Sequence, residues 1–254
     1  MNRVVKKILY GVFFLTIWVV IGGLIYWYIT QERPSCDDGI INQDEGGVDC
    51  GGVCLPCAFK NLQALEVFPV NIFDNGNQTT SVLIELLNKN KELGITNLPY
   101  TINLYDNSGN KIFSLNKDIQ IKPGARQYIV AAGLAVDPVL VGRGELVLEE
   151  PKWELVEKQA PLLLVNPGFQ IAKESNRVMI VGRALNRNPF SISEAEIQVL
   201  LLNQLGFYVS ASKTVLRNIP SDSATDFQVN FVLKPETLGT IDFSKTKVIV
   251  EAKK

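Results

Sequence analysis

Hydrophobic and polar positions divide the chain into two regions with different periodicity. Residues 8–30, ILYGVFFLTIWVVIGGLIYWYIT, contain no charged side chain, which is typical of a helix that spans a membrane. After residue 57 the pattern changes to short segments in which apolar and polar residues alternate, separated by turn residues. Alternation with a period of two predicts β-strands. The sequence therefore predicts an N-terminal helix followed by an all-β region without a long amphipathic helix.

The apolar segment of residues 8–30 has the length of a transmembrane anchor. At a rise of about 1.5 Å per residue, its 23 residues cover the ~30 Å hydrocarbon core of a bilayer. Tyr10 lies near one end and residues 26–28 (YWY) near the other, as aromatic residues do at membrane interfaces. We expect residues 8–30 to lie in the lipid bilayer.

The residues that flank this segment predict its orientation. Arg3, Lys6 and Lys7 precede it with no acidic residue among them, and the far flank mixes both signs of charge. The positive-inside rule then predicts a cytoplasmic tail of residues 1–7, with the rest of the chain outside the cell membrane. This is the topology of a single-pass signal-anchor protein.

Two other interpretations fit an apolar N-terminal segment. A cleaved signal peptide needs a shorter apolar core and small residues at the cleavage site, whereas residues 26–29 (YWYI) are bulky. A helix buried in a globular core usually carries a polar stripe, which residues 8–30 lack. The anchor interpretation is therefore preferred.

All four cysteines fall in one short segment, at Cys36, Cys50, Cys54 and Cys57. An even number of clustered cysteines beyond a membrane helix predicts two structural disulfides in an oxidising compartment, and a cysteine-rich module over residues 31–57. The alternative is a zinc site, but its usual signature has two CxxC pairs and this segment has one. Three connectivities are open, and the short spacer argues against a Cys54–Cys57 bond.

The same segment carries oxygen ligands that suit calcium. The candidate ligands are Asp38, Asn42, Asp44 and Asp49, on a loop that also contains glycine. Their spacing does not match an EF-hand loop, and a solvated, turn-rich surface is the alternative. Apart from this calcium ion, the sequence predicts no cofactor.

Residues 38–57 resemble a short motif, DGIxNxDExGVDCGGxCxxC, that recurs in exported proteins of bacteria and archaea. The matching letters are DGI at 38–40, then Asn42, Asp44 and Glu45, and GVDCGG at 47–52 followed by the last two cysteines. The resemblance implies an extracytoplasmic setting, and it implies no catalytic role.

The β region contains one arrangement of residues twice. Three pairs of residues recur at offsets of 98, 97 and 97: Asn88 with Asn186, Gly109 with Gly206, and Pro123 with Pro220. A period of this size is a whole domain. Short strands with frequent turn signals over about 95 residues predict an immunoglobulin-like β-sandwich. We therefore expect two tandem Ig-like β-sandwich domains, over residues 58–152 and 153–254.

The first copy resembles the FxLYD family of small Ig-like domains of prokaryotic envelope proteins. The resemblance is carried by LYD at residues 104–106 with Gly109, preceded by Asn88 and followed by a proline and glycine at 123–124. Ile102 stands where the family has phenylalanine, and the second copy has leucine and asparagine at 202–203 in place of the Tyr-Asp step. The resemblance implies a sandwich fold in the cell envelope and supplies no active-site residues.

Charge and composition argue against several classes of function. Lys plus Arg total 25 and Asp plus Glu total 26, so the balance gives no reason to expect a nucleic-acid partner. The chain contains no histidine, the commonest general base and metal ligand. Phosphate-loop, serine-hydrolase and zinc-protease motifs are also missing from the sequence. The expectation is a protein that is not an enzyme.

The sequence thus predicts a membrane-anchored extracytoplasmic envelope protein with a structural or protein–protein interaction role, whose partner is an envelope or surface protein. The alternative is an extracellular ligand- or glycan-binding module that uses Trp153 with Glu149, Glu150 and Glu154. In that case Trp153 would be exposed. The other interpretation is that Trp153 packs at the junction of the two domains. A third possibility is an enzyme with two converging carboxyl groups.

Overall fold

The computed structural model of the protein describes residues 3–30, 35–42, 44–76, 78–157, 162–165, 170–174 and 176–253. The chain forms two compact units, Met1–Asn61 and Leu62–Lys254. The fold is mostly β-structure with one long N-terminal helix, which confirms the expected class of an all-β protein on an N-terminal helix.

The first unit contains the long helix and the cysteine segment. Helix α1 (Arg3–Thr30) has 28 residues and includes the whole predicted anchor, and it is long and apolar enough to cross a membrane. Over residues 3–30 its side chains are exposed, as expected of a helix whose surroundings are lipid. Helix α2 (Cys57–Lys60) is a single turn after the last cysteine.

The second unit contains the strands, in two halves. The strands of the first half are β1 (Glu66–Val67), β2 (Asn71–Asp74), β3 (Thr80–Leu87), β4 (Leu93–Tyr105), β5 (Lys111–Ile121), β6 (Arg126–Leu134), β7 (Arg143–Leu148) and β8 (Glu154–Leu155). Those of the second half are β9 (Leu164–Val165), β10 (Gln170–Glu174), β11 (Arg177–Asn186), β12 (Ile192–Leu202), β13 (Tyr208–Ile219), β14 (Ser223–Val232) and β15 (Lys247–Lys253). Helix α3 (Pro235–Thr240) and two 3-10 turns, Pro138–Leu140 and Phe243–Lys245, lie in connections.

Apart from β8, the described strands of each half pair in the same order, and all pairs are antiparallel. In the first half β3 pairs with β1, β2 and β6, while β4 pairs with β5, β7 and β8. In the second half β11 pairs with β9, β10 and β14, while β12 pairs with β13 and β15. Because β8 pairs with β4, the pairing of the first half extends to Leu155, slightly beyond the expected boundary after residue 152.

Each half has a hydrophobic core made by alternate residues of its central strands. Ile102 and Leu104 of β4 lie in the core of the first half, and Val199 and Leu201 of β12 lie in that of the second. All four side chains are 0% exposed, and in each strand the two residues lie two positions apart, on one face of the strand. Full burial of a side chain of this size contributes about 1.5–3 kcal/mol.

Candidate functional site

The cysteine segment is cross-linked by two disulfides. Cys36 is bonded to Cys54 and Cys50 to Cys57, with Cα–Cα distances of 5.6 and 4.8 Å. The prediction of two disulfides is therefore confirmed. All four sulfurs are bonded in pairs, so the thiolates that a zinc ion would need are not available.

The candidate calcium ligands make hydrogen bonds within the turns of this segment. Asp38 accepts from the Ile40 amide and the Asn42 carboxamide, both at 2.9 Å. Asp49 accepts from the Gly39 amide at 2.9 Å, and this bond is the main reason that its pKa lies below the usual range. Within the described residues no three acidic or cysteine side chains are grouped to hold a metal ion. Calcium binding stays a prediction.

Asp49 forms an ion pair with a cation of the same unit. Lys60 Nζ lies 3.6 Å from Asp49 Oδ2 and donates a 2.7 Å hydrogen bond to the Val48 carbonyl. A calcium ion at Asp49 would have to compete with this ammonium group. The acidic residue Asp44 lies at a position with φ +68°, which identifies it as a turn residue.

Trp153 and its neighbouring glutamates do not form an exposed aromatic platform. Trp153 is partly buried against the core of the first half, beside a small apolar cleft of about 390 Å³ that Leu62, Leu65 and Leu98 also line. Glu154 accepts a 2.9 Å hydrogen bond from Thr96. Among the described residues Trp153 packs against the core of the first half, and its packing at the junction of the two halves stays a prediction.

The junction of the two halves is formed by a third hydrophobic cluster, which was not predicted from the sequence. Its buried members come from both halves: Leu83, Tyr128 and Val130 from the first, and Leu200, Leu202 and Ala211 from the second. Strand β3 and residues 197–202 of β12 are consequently buried on both faces. The available signal was the lack of alternation in VLIELL (82–87) and VLLL (199–202), since continuous apolar runs are typical of strands covered on both sides.

A buried carboxylate crosses this junction. Glu85 of β3 is 5% exposed, and its two oxygens have different partners, Arg126 in the same half and the Tyr208 hydroxyl in the other, the latter at 2.6 Å. Burial, followed by the contact with Tyr128, raises the pKa of Tyr208, so the hydroxyl keeps the proton that it donates. A buried charge is tolerated only when it is paired and hydrogen-bonded, as this one is.

Ion pairs also connect the two halves. Asp74 lies 2.6 Å from Lys234, and Lys122 lies 2.7 Å from Glu251. The hydrogen bond from Lys234 is the main cause that lowers the pKa of Asp74. Together with the apolar cluster, these contacts join residues of the two halves into one packed body.

A polar cleft of about 390 Å³ opens between the halves beside the junction. Its lining includes Tyr100, Asp118, Glu194, Glu196 and Gln198. Glu196 lies 2.7 Å from Lys213, and Glu194 lies 3.4 Å from Arg217. Burial, with the nearby charges of Glu196 and Asp118, raises the pKa of Tyr100 to about 12.

The carboxylates Glu194 and Glu196 are thus engaged by basic side chains. Gln198 is 3% exposed and donates to the Tyr128 carbonyl and to Glu196, whereas its Oε1 has no hydrogen-bond partner among the residues that the structure describes. The paired charges of this cleft suit a polar contact between two surfaces, and Gln198 Oε1 remains an acceptor without a partner in the described part of the chain.

Comparisons with known proteins give little further information. No family model matches the chain, and no curated protein matches it. Among solved structures the chain is similar to red sea bream transglutaminase, with 12% identity and a TM-score of 0.26 over 70% of this chain. The match spans 28% of the length of that protein. A TM-score of this size carries no argument about fold or function.

Proposed function

We propose that the protein is a membrane-anchored extracytoplasmic envelope protein with a non-catalytic role in structure or protein–protein interaction. In this proposal residues 62–254 form two tandem Ig-like sandwiches of the FxLYD type, which are presented outside the membrane as one body. The observation that carries the proposal is the buried junction, in which Leu83, Tyr128 and Val130 pack against Leu200, Leu202 and Ala211.

The anchor and its orientation are supported by charge and by the disulfides. Helix α1 is apolar enough to span a bilayer, and Arg3, Lys6 and Lys7 lie at its N-terminal end. The positive-inside rule favours a cytoplasmic N-terminus. Disulfides persist in oxidising compartments, so the two bonds favour an extracytoplasmic location for the cysteine module.

The tandem arrangement is supported by equivalent hairpins. In the first half Leu104 is opposite Phe113, and in the second Leu201 is opposite Ser210, so both partners are shifted by 97 residues. The equal pairing order of the strands in the two halves adds to this. A duplicated domain is expected to have the same strand order and the same hairpin register in both copies.

Among the described residues, the apolar face that β12 contributes to the junction is not repeated at the equivalent positions of β4. The positions that correspond to Leu200 and Leu202, at the 97-residue offset, are Asn103 and Tyr105, whose polar groups bond to Ser114 and Glu145. A polar face replaces the apolar one, which disfavours stacking of another chain by the same contact. The polar face therefore supports a body of two domains that does not extend by stacking, and other partners would bind elsewhere on its surface.

A ligand- or glycan-binding module is a second candidate, favoured by one observation. The cleft of about 390 Å³ contains Gln198, whose buried Oε1 has no partner within the described part of the chain. A ligand that donates a hydrogen bond there would satisfy this atom. Thermal unfolding of the whole protein with a glycan panel tests this candidate, which predicts a rise in Tm that Gln198→Leu abolishes.

The test of the leading proposal is site-specific photo-crosslinking of the intact protein in its own membranes. A benzophenone amino acid at Val147 or Val215, both exposed, samples each half of residues 62–254. The proposal predicts a discrete protein adduct at one of these surfaces. A matched probe at the buried residue Ile102 controls for background labelling. The second candidate would be favoured by two results together. The protein adducts at Val147 and Val215 would be no stronger than those at Ile102, and the purified protein would bind a ligand.

A further inference from the structure

The β4–β5 and β12–β13 hairpins have the same turn geometry. In the first hairpin Asp106 Oδ1 accepts from the amides of Ser108 and Asn110, both at 2.8 Å. The Gly109 amide donates to the Asp106 carbonyl at 3.1 Å, and Gly109 has a φ of +85°, which favours glycine. The turn is therefore fixed by hydrogen bonds to one side chain and one carbonyl.

The second hairpin repeats each of these bonds. Asn203 Oδ1 accepts from the amides of Leu205 and Phe207 at 3.0 and 2.9 Å. The Gly206 amide donates to the Asn203 carbonyl at 3.0 Å, and Gly206 also has a φ of +85°. Leu205 and Phe207 therefore occupy the positions that Ser108 and Asn110 hold in the first half.

The two tips differ in chemistry. Leu205 is 81% exposed and Phe207 is 66% exposed, whereas the first tip carries Ser108 and Asn110 at the same places. The first hairpin demonstrates that this turn forms with polar residues, so turn geometry does not require the two apolar side chains. Adjacent, protruding apolar side chains mark a surface that contacts something apolar.

We propose that the apolar tip formed by Leu205 and Phe207 inserts into the surface of a lipid bilayer. Leucine and phenylalanine partition into the boundary between headgroups and acyl chains. A specific protein partner usually covers about 800 Å² of each surface, and two side chains on a convex turn offer far less. Insertion into a bilayer, in contrast, requires only apolar side chains that protrude from the surface.

A cation lies at the base of this tip. Lys245 Nζ donates a hydrogen bond to the Gln204 carbonyl and is 3.9 Å from Asp242. A lysine beside an apolar tip complements anionic headgroups. The inference rests on the proposed anchoring of the chain, because a tether raises the effective concentration of the tip at its own membrane.

Photo-crosslinking to lipid in nanodiscs of phosphatidylcholine and phosphatidylglycerol tests the inference on the full-length chain. A benzophenone amino acid replaces Phe207 in one variant and Asn110, its counterpart in the first hairpin, in another. A third variant carries the probe at Trp18 in α1 and reports whether the anchor itself is in lipid. We expect at least tenfold more lipid adduct at position 207 than at position 110.

A second comparison removes the influence of the probe's own apolar ring. With the probe at Gln204, the double substitution Leu205→Ser and Phe207→Asn, which copies the first tip, should reduce the lipid adduct at least tenfold. Both side chains are exposed, so the folded fraction is expected to be unchanged. Two results would overturn the inference, provided that the probe at position 18 forms a lipid adduct. One is a lipid adduct that is equally strong, or absent, at positions 207 and 110. The other is that the probe at position 207 forms adducts with protein only. Loss of the adduct at position 18 would instead contradict the proposed anchor.

Discussion

Asn88 and Asn186 make the same set of hydrogen bonds from equally buried positions 98 residues apart, each with 1% of its surface exposed. The Asn88 carboxamide donates to the carbonyls of Leu93 and Lys122 at 2.7 and 3.0 Å. Its Oδ1 accepts from the Asn90 amide at 2.9 Å. One side chain thereby fixes the connections that follow β3 and β5.

The carboxamide of Asn186 has the corresponding partners in the second half. It donates to the carbonyls of Phe190 and Pro220 at 3.0 and 2.8 Å and accepts from the Asn188 amide at 3.0 Å. Buried backbone groups in loops need such partners because water cannot reach them. The Asn-x-Asn sequence therefore provides the hydrogen-bond partners of buried loop backbone in both halves.

The first prediction concerns these two asparagines. Asn88→Ala and Asn186→Ala each leave buried carbonyls and an amide without a partner, which costs about 2–3 kcal/mol of unfolding free energy. Equilibrium urea unfolding of the two variants measures this. The control is Asn230→Ala at an exposed position, where the change should stay within about 0.5 kcal/mol. A loss at Asn88 no larger than at Asn230 would show that its hydrogen bonds do not stabilise the fold.

The second prediction concerns the junction. Leu200→Asn introduces the residue that the first half has at the equivalent position, and it places a polar amide in a cluster where Leu200 is buried. The expected loss is about 3–5 kcal/mol, and the two halves should then unfold in separate transitions. Calorimetry measures the number of transitions. Leu205→Asn, at an exposed site, should leave the unfolding profile unchanged, and the same profile for Leu200→Asn would refute a stabilising junction.

The third prediction is a pH dependence from Asp74. Since Lys234 lowers the pKa of Asp74 in the folded state, the pair stabilises the fold above the unfolded pKa of 3.8, and this contribution disappears as the pH falls through the lower folded value. Asp74→Asn should therefore lower the Tm relative to wild type at pH 6 and have a smaller effect at pH 2.5. Thermal unfolding at several pH values measures the difference. An effect of Asp74→Asn that is constant with pH would contradict the ion pair.

The fourth prediction concerns the disulfides. Peptide mapping without reduction should recover Cys36 linked to Cys54 and Cys50 linked to Cys57. The first bond closes the longer loop, with a sequence separation of 18 against 7, so chain entropy assigns it about 3 kcal/mol and the second about 2.5 kcal/mol. Four free thiols in the purified native protein, or a peptide linking Cys54 to Cys57, would contradict this connectivity.

Much of the fold follows from local patterns. The apolar run of residues 8–30 lies within α1, and the alternating segments after residue 57 form strands, as their period of two predicts. The recurring pair Gly109 and Gly206 also marks equivalent turns, since both glycines have a φ of +85°. These features depend on neighbours in the sequence, which a single chain supplies.

The junction depends on contacts between distant parts of the chain, and it could not be derived from local patterns. Tyr208 donates to Glu85 across 123 residues, and nothing near either residue specifies the other. The acidic residues of the cysteine segment illustrate a related difficulty. The sequence indicates that Asp49 is a possible metal ligand, but it does not reveal that Asp49 accepts a hydrogen bond from the Gly39 amide. A list of ligand types does not determine which partner each one has.

The most direct test of the proposed membrane-anchored, extracytoplasmic protein is protease accessibility in intact cells that produce the full chain with an N-terminal and a C-terminal tag. Protease added outside should remove the C-terminal tag and leave the N-terminal tag on a membrane-bound fragment containing α1 (Arg3–Thr30). Permeabilised cells, in which both tags should be digested, provide the control. Digestion of the N-terminal tag with protection of the C-terminal tag, or release of the uncleaved chain from the membrane by carbonate, would contradict the account.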